Sequence, residues 1–247
     1  VYIPKEYLSK EVLVIVPDSI EDLKKEIVTK IMPELPDVLG VYIYGSYARN
    51  EQDSYSDIDV LIVTKKENKK IKILLQGIKI EARVMTLESL KKAIINFPAL
   101  IIPVLKEASP IINSSILEEL QSSAYSLEKF SWHFEDTKRV LKIIEDLVDL
   151  DKEKSSESFI YSMIMRLRVL FMIEGLLKNK QFSNVSFKKR MVSFGFKELD
   201  FNYLYESYRK QKKYETQKEI NKEKITSLLL FVKKYLSYIE NETKKKA

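Results

Sequence analysis

The segment VYIYGSYARNEQDSYSDIDVLIV, residues 41–63, consists of two apolar runs joined by a polar linker. Val, Ile, Leu and Tyr dominate both runs, and β-branched and aromatic residues favour strands. We therefore predict strands at Val38–Tyr44 and Ile58–Thr64. A Gly-Ser pair follows the first run, and an Asp-Ile-Asp triplet opens the second. The linker thus carries one polar motif at the end of each strand.

Asp57 and Asp59 lie two positions apart at the start of the second strand. Side chains alternate along a strand, so Ile58 and Val60 point to one face and both carboxylates point to the other. Adjacent carboxylates repel each other unless a cation neutralises them, and Mg²⁺ prefers one or two carboxylates together with substrate phosphates. The alternative is an edge strand with solvated aspartates. The flanking Val-Leu-Ile-Val favours a buried central strand, where an unpaired carboxylate is costly.

Gly45 and Ser46 form the second half of the motif. Gly45 follows the first strand and allows another backbone to approach closely. Ser46 supplies a hydroxyl and a backbone N–H at the start of a helical turn that we predict over residues 46–50, and phosphate oxygens bind well at such a start. We therefore interpret the Gly-Ser pair and the two aspartates as two halves of one nucleoside triphosphate site.

A third carboxylate, Glu81, follows on a later segment. Residues 78–84 alternate as a strand that leaves Glu81 on its polar face between Lys79 and Arg83. If this strand lies beside the second one, three carboxylates can hold two divalent ions, which activate an attacking hydroxyl and stabilise the leaving pyrophosphate. The alternative is that Glu81 is only a cross-strand charge partner. We also predict that residues 70–75 and 78–85 form a hairpin.

These motifs resemble the nucleotidyltransferase fold that is shared with polymerase β. The local form Gly-Ser-Tyr-Ala-Arg-Asn, followed by Ser-Asp-Ile-Asp and by an acid on a later strand, is similar to small bacterial and archaeal nucleotidyltransferases, including the kanamycin-type enzymes. Those proteins join a catalytic α/β domain to a helical domain. The specific match covers roughly residues 38–90, and the helical half resembles the family only in architecture.

The resemblance implies a role for each motif residue. Gly45 and Ser46 would bind the triphosphate, and Asp57 and Asp59 would be catalytic ligands of Mg²⁺. Glu81 would be the third catalytic and metal-binding acid, or would assist the acceptor hydroxyl. Arg49 stands where the family often has an arginine near the phosphates, and we assign it to nucleotide binding. Asn50 departs from the pattern, because many relatives place Gly after that arginine.

The fold class that we predict is α+β: a nucleotidyltransferase-type mixed sheet with helices, followed by an all-α bundle. The first domain is expected at residues 1–115. Its further predicted elements are a strand at residues 12–16, a helix from Ser19 to Met32, a helix from Leu87 to Asn96 that is capped by Thr86, and an edge strand at residues 110–113. Pro98 and Pro103 are expected to interrupt the apolar segment between the last two.

The second domain is expected at residues 116–247, because apolar residues there recur three and four positions apart. The predicted helices span residues 116–124, 127–150, 158–177, 187–192, 201–213 and 219–238. Arg166 and Arg168 lie on a largely apolar helix and, two positions apart, cannot share a face. We expect at least one of them to pair internally or to line the cleft between the domains.

Composition excludes several classes of protein. The chain has no cysteine, so disulfides and thiolate metal sites are excluded. Its most apolar stretch, residues 159–177, contains Arg166, Arg168 and Glu174, which argues against a membrane span. No signal peptide is visible, so we expect a cytoplasmic protein.

The basic charge is concentrated in the helical half. Residues 1–115 carry 16 basic and 16 acidic side chains, so the whole excess of +6 follows them. Such a region can attract nucleic acid. The tyrosines and basic residues of this region could grip a single strand, or could form a packed helix with solvated charges: Tyr203, Tyr205, Tyr208, Tyr214, Arg209, Lys210, Lys212 and Lys213. We favour the second interpretation, and hence a small-molecule or protein acceptor over RNA.

The sequence thus predicts a Mg²⁺-dependent nucleotidyltransferase that transfers a nucleoside monophosphate from a nucleoside triphosphate, with ATP the expected donor, to an acceptor hydroxyl. Pyrophosphate is the expected second product, and a homodimer is compatible with this prediction. The alternative is a non-catalytic, antitoxin-like nucleotide-binding module of the same fold. Three neighbouring acids favour the enzyme, because a scaffold has no reason to crowd like charges together.

Overall fold

The structure is a computed structural model that describes residues 20–52, 56–76, 80–150, 154–211 and 219–246. The strand predicted at residues 12–16 and the start of the predicted helix at Ser19 lie outside these ranges. Within them, no helix combines the length and the apolar character that a bilayer crossing requires.

A four-stranded mixed sheet organises the first half of the chain. Its strands are β1 (Val38–Tyr44), β2 (Ile58–Thr64), β3 (Ile80–Thr86) and β4 (Ser109–Ile112). They lie in the order β3-β2-β1-β4, with β1 antiparallel to β2 and β4, and β2 parallel to β3. The predicted central strand with its Asp-x-Asp start is therefore β2, and the mixed α+β class is confirmed.

Six helices accompany this sheet in the described ranges. They are α1 (Ile20–Ile31), α2 (Gly45–Ala48), α3 (Lys70–Leu74), α4 (Leu87–Asn96), α5 (Pro98–Glu107) and α6 (Ser114–Gln121). Val60 and Ile62 point to the face of the sheet that α1 and α3 cover. Leu61 and Val63 point to the opposite face, whose core includes α4, α5 and α6 and continues into the helical half. Thr86 caps α4 as predicted, since its hydroxyl accepts the N–H of Ser89 at 3.1 Å.

The predicted hairpin at residues 70–85 is wrong. The first segment is helix α3, and β3 runs parallel to β2. The alternating isoleucines suggested a strand, but Ile71 and Leu75, four positions apart, enter the core while Ile73 is exposed. A parallel neighbour needs a crossover connection rather than a tight turn, and α3 is part of that crossover.

The predicted interruption at Pro103 is also wrong, because α5 starts at Pro98 and runs through Pro103. At Pro98 the chain is interrupted, since α4 ends at Asn96. Pro98 is at the start of the helix, where its missing N–H costs nothing. Pro103 removes one hydrogen bond from the interior. It lies buried with Ile102 and Leu105, so apolar packing offsets that loss. The end of α5 consequently reaches the first turn after β1.

The second half is the predicted helical bundle, with one addition. Its helices are α7 (Ser131–Leu150), α8 (Glu157–Leu177), α9 (Asn184–Ser193), α10 (Glu198–Gln211) and α11 (Lys222–Lys244). Helix α8 packs against α7, α10 and α11, and also against α5 of the first half. The addition is a short antiparallel pair, β5 (Lys154–Ser156) with β6 (Glu219–Asn221), just before α8 and α11. Apart from this pair, the described part of the second half is helical, as predicted.

Candidate functional site

A cleft of about 620 Å³ lies between the start of β2, the end of α5 and the helical half. The residues that line it include Gly45, Ser46, Arg49, Asp57, Asp59 and Glu107 from the first half and Arg168, Tyr205, Tyr208 and Arg209 from the second. Five of the six predicted site residues are in this set, and Glu81 is not. A cleft at a domain junction is a common place for a small-molecule ligand.

Gly45 lies against the carboxylate of Asp59. The β1–β2 register pairs Tyr44 with Asp59, so Gly45 is the first residue beyond that pair. A Cβ atom at Gly45 would stand 2.0 Å from Asp59 Oδ2, and the backbone has φ +74° there. Glycine is required both by this close approach and by the left-handed conformation. The turn and the carboxylate are therefore in direct contact.

Ser46 and Asp57 complete the near side of the cleft. Ser46 is half-buried in the single turn α2, and Asp57 is exposed at the entrance to β2. Asp57 and Asp59 lie on the same face of β2 because they are two positions apart. This arrangement offers carboxylate oxygens, a hydroxyl and backbone N–H groups to one ligand.

Glu81 lies beside Asp59 in the sheet but is exposed. The parallel register pairs the Cα atoms of Asp59 and Glu81, and neighbouring strands are about 4.8 Å apart. In the part of the chain that the structure describes, no three acidic or histidine side chains form a group that could hold a metal ion. An ion held by Asp57 and Asp59 alone would complete its coordination with oxygens from outside the protein, such as those of a phosphate.

The pKa of the Tyr44 hydroxyl is affected by the charged residues around it. Its pKa is raised to about 12, chiefly by burial; Arg83 lowers it, and the negative charges of Asp59, Glu81 and Glu107 raise it. Three carboxylates thus act on a single buried hydroxyl.

Arg49 is held by two glutamates that the sequence analysis did not single out. Its Nε donates to Glu51 Oε2 at 2.9 Å and its Nη1 donates to Glu107 Oε2 at 2.5 Å. Burial alone would lower the pKa of Arg49, but the carboxylates of Glu107 and Glu51 outweigh it and raise that pKa. Arg49 therefore lines the cleft, but two of its nitrogens are already engaged.

Each of the two glutamates makes a second contact. Glu107 Oε1 accepts the backbone N–H of Gly45 at 2.9 Å. Glu51 accepts the N–H groups of Asn184 and Val185, at 3.0 and 3.4 Å, where α9 begins. Burial alone would raise the pKa of Glu51, but the hydrogen bonds from Asn184, Arg49 and Val185 lower it. The turn at Gly45 and Ser46 is thus connected to the helical half through the side chains of Glu107, Arg49 and Glu51.

Arg168 brings a positive charge into the cleft from α8. Its Nη1 donates to Asn184 Oδ1 at 3.0 Å and to the Tyr205 hydroxyl at 2.9 Å, and its guanidinium lies 4.9 Å from the centre of the Phe182 ring. No carboxylate among the described residues forms an ion pair with it. Arg166, by contrast, pairs with Asp136 at 2.9 Å. One arginine of the predicted pair is thus internal and the other lines the cleft.

Not all of the basic and tyrosine residues of the helical half lie on its outer surface. Arg190 turns inward and binds the buried Glu174 through Nε at 2.9 Å and Nη2 at 2.8 Å. Tyr205 and Tyr208 line the cleft. Lys212, Lys213 and Tyr214 lie outside the described residues.

Comparison with protein families gives one match. The family model described as the nucleotidyltransferase domain matches residues 24–170 of this chain. This stretch contains the sheet, the Gly-Ser turn and the aspartate pair. It also extends into α8, which carries Arg168. No curated protein sequence matches the chain significantly.

Solved structures give distant similarities. Spectinomycin adenyltransferase from Enterococcus faecialis, solved with ATP and spectinomycin, is 13% identical over 89% of this chain and 99% of its own, with a TM-score of 0.49. A nucleotidyltransferase-like protein from Exiguobacterium sibiricum is 13% identical over 90% and 77%, with a TM-score of 0.37. A toxin–antitoxin structure with AMP-PNP is 14% identical over 50% and 97%, with a TM-score of 0.30. These similarities are too distant to carry an argument about activity.

Proposed function

We propose, on the premise that this chain belongs to the nucleotidyltransferase domain family, that it transfers a nucleoside monophosphate from a nucleoside triphosphate to an acceptor hydroxyl. ATP is the donor that we propose. The acceptor oxygen bonds to the α-phosphorus, the bond from that phosphorus to the pyrophosphate oxygen breaks, and the hydroxyl proton passes to a base. Pyrophosphate is the second product.

The contact between Gly45 and Asp59 is the observation that carries the proposal. It joins a backbone turn suited to phosphate oxygens to a carboxylate suited to a cation, within one cleft. We assign triphosphate binding to the turn of Gly45 and Ser46: Ser46 supplies the hydroxyl and the N–H, and Gly45, which has no side chain, lets the phosphates approach closely. Arg49 is assigned to the same role through its Nη2, which makes no hydrogen bond within the described ranges. Arg168 supports this assignment, because it faces the cleft without a carboxylate partner among those residues.

The donor set at Asp57 and Asp59 fits Mg²⁺. Two carboxylates on one face of a strand, one exposed and one half-buried, match the small number of protein oxygens that this ion takes beside phosphates. Bound there, Mg²⁺ would neutralise charge that develops on the phosphoryl oxygens and the leaving pyrophosphate. We assign Glu81 the role of a third acid, either as a ligand or by receiving the hydroxyl proton.

We place the acceptor between the sheet and the helices of the second half that line the cleft. We propose that the acceptor is a small molecule or a protein rather than RNA. The inward ion pair of Arg190 removes one cation from the basic segment. Acidic residues are interspersed with the remaining ones: Glu198, Asp200, Glu206 and Glu223. The mixed charge supports a solvated helical surface.

The test is a pair of aspartate substitutions. Asp57→Asn combined with Asp59→Asn should leave folding intact and abolish Mg²⁺-dependent ATP binding, measured by titration calorimetry. Asp146→Asn, on the exposed surface of α7, is the matched control and should bind ATP as the wild type does. Unchanged metal-dependent binding in the double variant would show that the site is assigned wrongly.

Turnover requires a second measurement. α-Labelled ATP and Mg²⁺ are incubated with the wild-type protein and a cell extract, and the labelled fraction identifies the acceptor class. Released pyrophosphate is measured in parallel. Metal-dependent ATP binding without label transfer or pyrophosphate would instead favour the non-catalytic module.

A further inference from the structure

A chain of charged contacts runs from the Gly45 turn to the helical half. Glu107 accepts the Gly45 N–H with Oε1 and an Arg49 N–H with Oε2. Arg49 in turn donates to Glu51, whose carboxylate accepts the first N–H groups of α9. We call Glu107, Arg49 and Glu51 the relay. It connects α5, the turn after β1 and α9, which are distant in sequence.

The relay is shielded from water. The side chains of Glu107, Arg49 and Glu51 are 9%, 13% and 15% exposed. Removing one partner from a buried ion pair leaves the other charge uncompensated, which costs roughly a hundredfold or more in an equilibrium. Arg49 also lies 5.2 Å from the centre of the Phe182 ring, which restricts it further. A ligand would have to overcome all these contacts to pull Glu107 away.

Two roles for Glu107 would affect nucleotide binding in opposite directions. As a competitor, Glu107 would accept hydrogen bonds from the Gly45 N–H and from Arg49 Nη1 only while the site is empty. The triphosphate would then replace Glu107 as the acceptor of both. As a positioning residue, it would keep both groups in place while Ser46 and Arg49 Nη2 receive the phosphates. The burial of the ion pairs favours the second role, because displacing Glu107 is costly, whereas Arg49 lines the cleft and its Nη2 makes no hydrogen bond within the described ranges.

We infer that Glu107 is a positioning residue for the triphosphate: it binds the Gly45 N–H and Arg49 at once. It thereby fixes the position of the Gly-Ser turn relative to the arginine. This inference rests on the proposed function and deepens it. Neither carboxylate oxygen of Glu107 needs to touch the nucleotide. The relay also makes the position of the turn depend on α9, because Glu51 is fixed to the start of that helix.

Glu107→Asp is the decisive variant. It keeps the charge but shortens the side chain by one methylene, so that one carboxylate no longer reaches both the turn and Arg49. We expect the Kd for Mg²⁺-ATP to rise about tenfold or more, the scale of one hydrogen bond to a charged group. The Kd for adenosine should stay within about twofold. Glu118→Asp, exposed on α6, is the matched control and should change neither value.

Glu107→Gln supplies a second variant. Its amide oxygen can still accept the Gly45 N–H, but its NH₂ group cannot accept from Arg49. The Kd for Mg²⁺-ATP should rise in this variant as well, while the Kd for adenosine stays within about twofold. This variant also serves if Glu107→Asp fails to fold.

The outcomes separate the possibilities. Tighter ATP binding in both variants would show that Glu107 is a competitor and would overturn the inference. A lower Tm with an unchanged ratio of ATP to adenosine affinity would reduce Glu107 to a structural residue and overturn it as well. A wild-type protein that binds no Mg²⁺-ATP would overturn the proposed function, and the inference with it.

Discussion

Replacing Gly45 by alanine should damage the site through Asp59. The new Cβ would stand 2.0 Å from Asp59 Oδ2 and 2.9 Å from its Cγ. Ordinary carbon contacts lie near 3.5 Å, so the carboxylate must move by about 1.5 Å. Asp59 is the second residue of the buried strand β2, between Ile58 and Val60. The side chain rather than the strand must therefore give way.

The cost has two parts. Alanine at φ +74° is in the left-handed region, which costs roughly 1–2 kcal/mol for a residue with a Cβ. Forcing Asp59 from its rotamer adds about 0.5–1.5 kcal/mol. The free energy of unfolding should fall by roughly 2–3 kcal/mol, which lowers Tm by about 4–12 °C for a chain of this size.

Gly195→Ala is the matched control. Gly195 also has a positive φ, +112°, but a Cβ there would meet no atom within 4 Å. Both variants should therefore lose thermal stability, measured by circular dichroism. Only Gly45→Ala should also lose Mg²⁺-dependent ATP binding, measured by calorimetry at a temperature where both are folded.

One result would refute this reasoning. If folded Gly45→Ala binds Mg²⁺-ATP with wild-type affinity, then the carboxylate of Asp59 does not need the position that it has beside Gly45. The contact between the turn and the strand would then be structural only. An equal loss of binding in Gly195→Ala would also refute it, because no clash exists there.

Three further predictions concern other parts of the molecule. Ser46→Ala should weaken ATP binding by about 1–2 kcal/mol and leave adenosine binding nearly unchanged; equal losses would mean that Ser46 acts through the fold. Burial alone would raise the pKa of Glu174, but hydrogen bonds from Arg190, Lys178 and Tyr235 lower it below its ordinary 4.5. Its stabilising contribution is therefore complete above that value and is lost as the pH falls through the lowered pKa; urea unfolding should show a steeper acid-side decline in the wild type than in Glu174→Gln, and parallel curves would contradict this. RNA binding should be absent at physiological salt, both in the wild type and after charge reversal at Arg209 and Lys210. RNA binding whose affinity falls steeply with salt, with a slope that this reversal flattens, would instead favour RNA as the acceptor.

Local patterns predicted the centre of the fold. The strands β1 and β2, the cap of α4 and the long helices of the second half follow from signals within a few residues of each other. Thr86 caps α4, for example, because its hydroxyl and the Ser89 N–H are three positions apart. Contacts of this kind join residues that are close in sequence and depend only on the local backbone conformation. They can therefore be predicted from one sequence.

The two wrong predictions have one cause. The isoleucines of α3 and Pro103 of α5 gave local signals against a helix, and packing overrode both. Buried contacts of Ile71, and of Ile102 and Leu105, stabilise helices that propensity alone disfavours. A break at Pro103 hides the fact that Glu107 ends a helix that approaches the Gly-Ser turn.

The sequence by itself determined the Gly-Ser turn and the aspartate pair as candidates, because period two puts Asp57 and Asp59 on one face whatever surrounds them. Only the tertiary structure decided that Glu107 and Glu51 hold Arg49, and that Arg168 enters the same cleft. These residues come from α5, from the polar linker and from α8, tens of positions apart. Their contacts exist only after β1, α5 and α8 pack together. Helix and strand periodicity describes neighbours in sequence and therefore does not predict contacts between such distant residues.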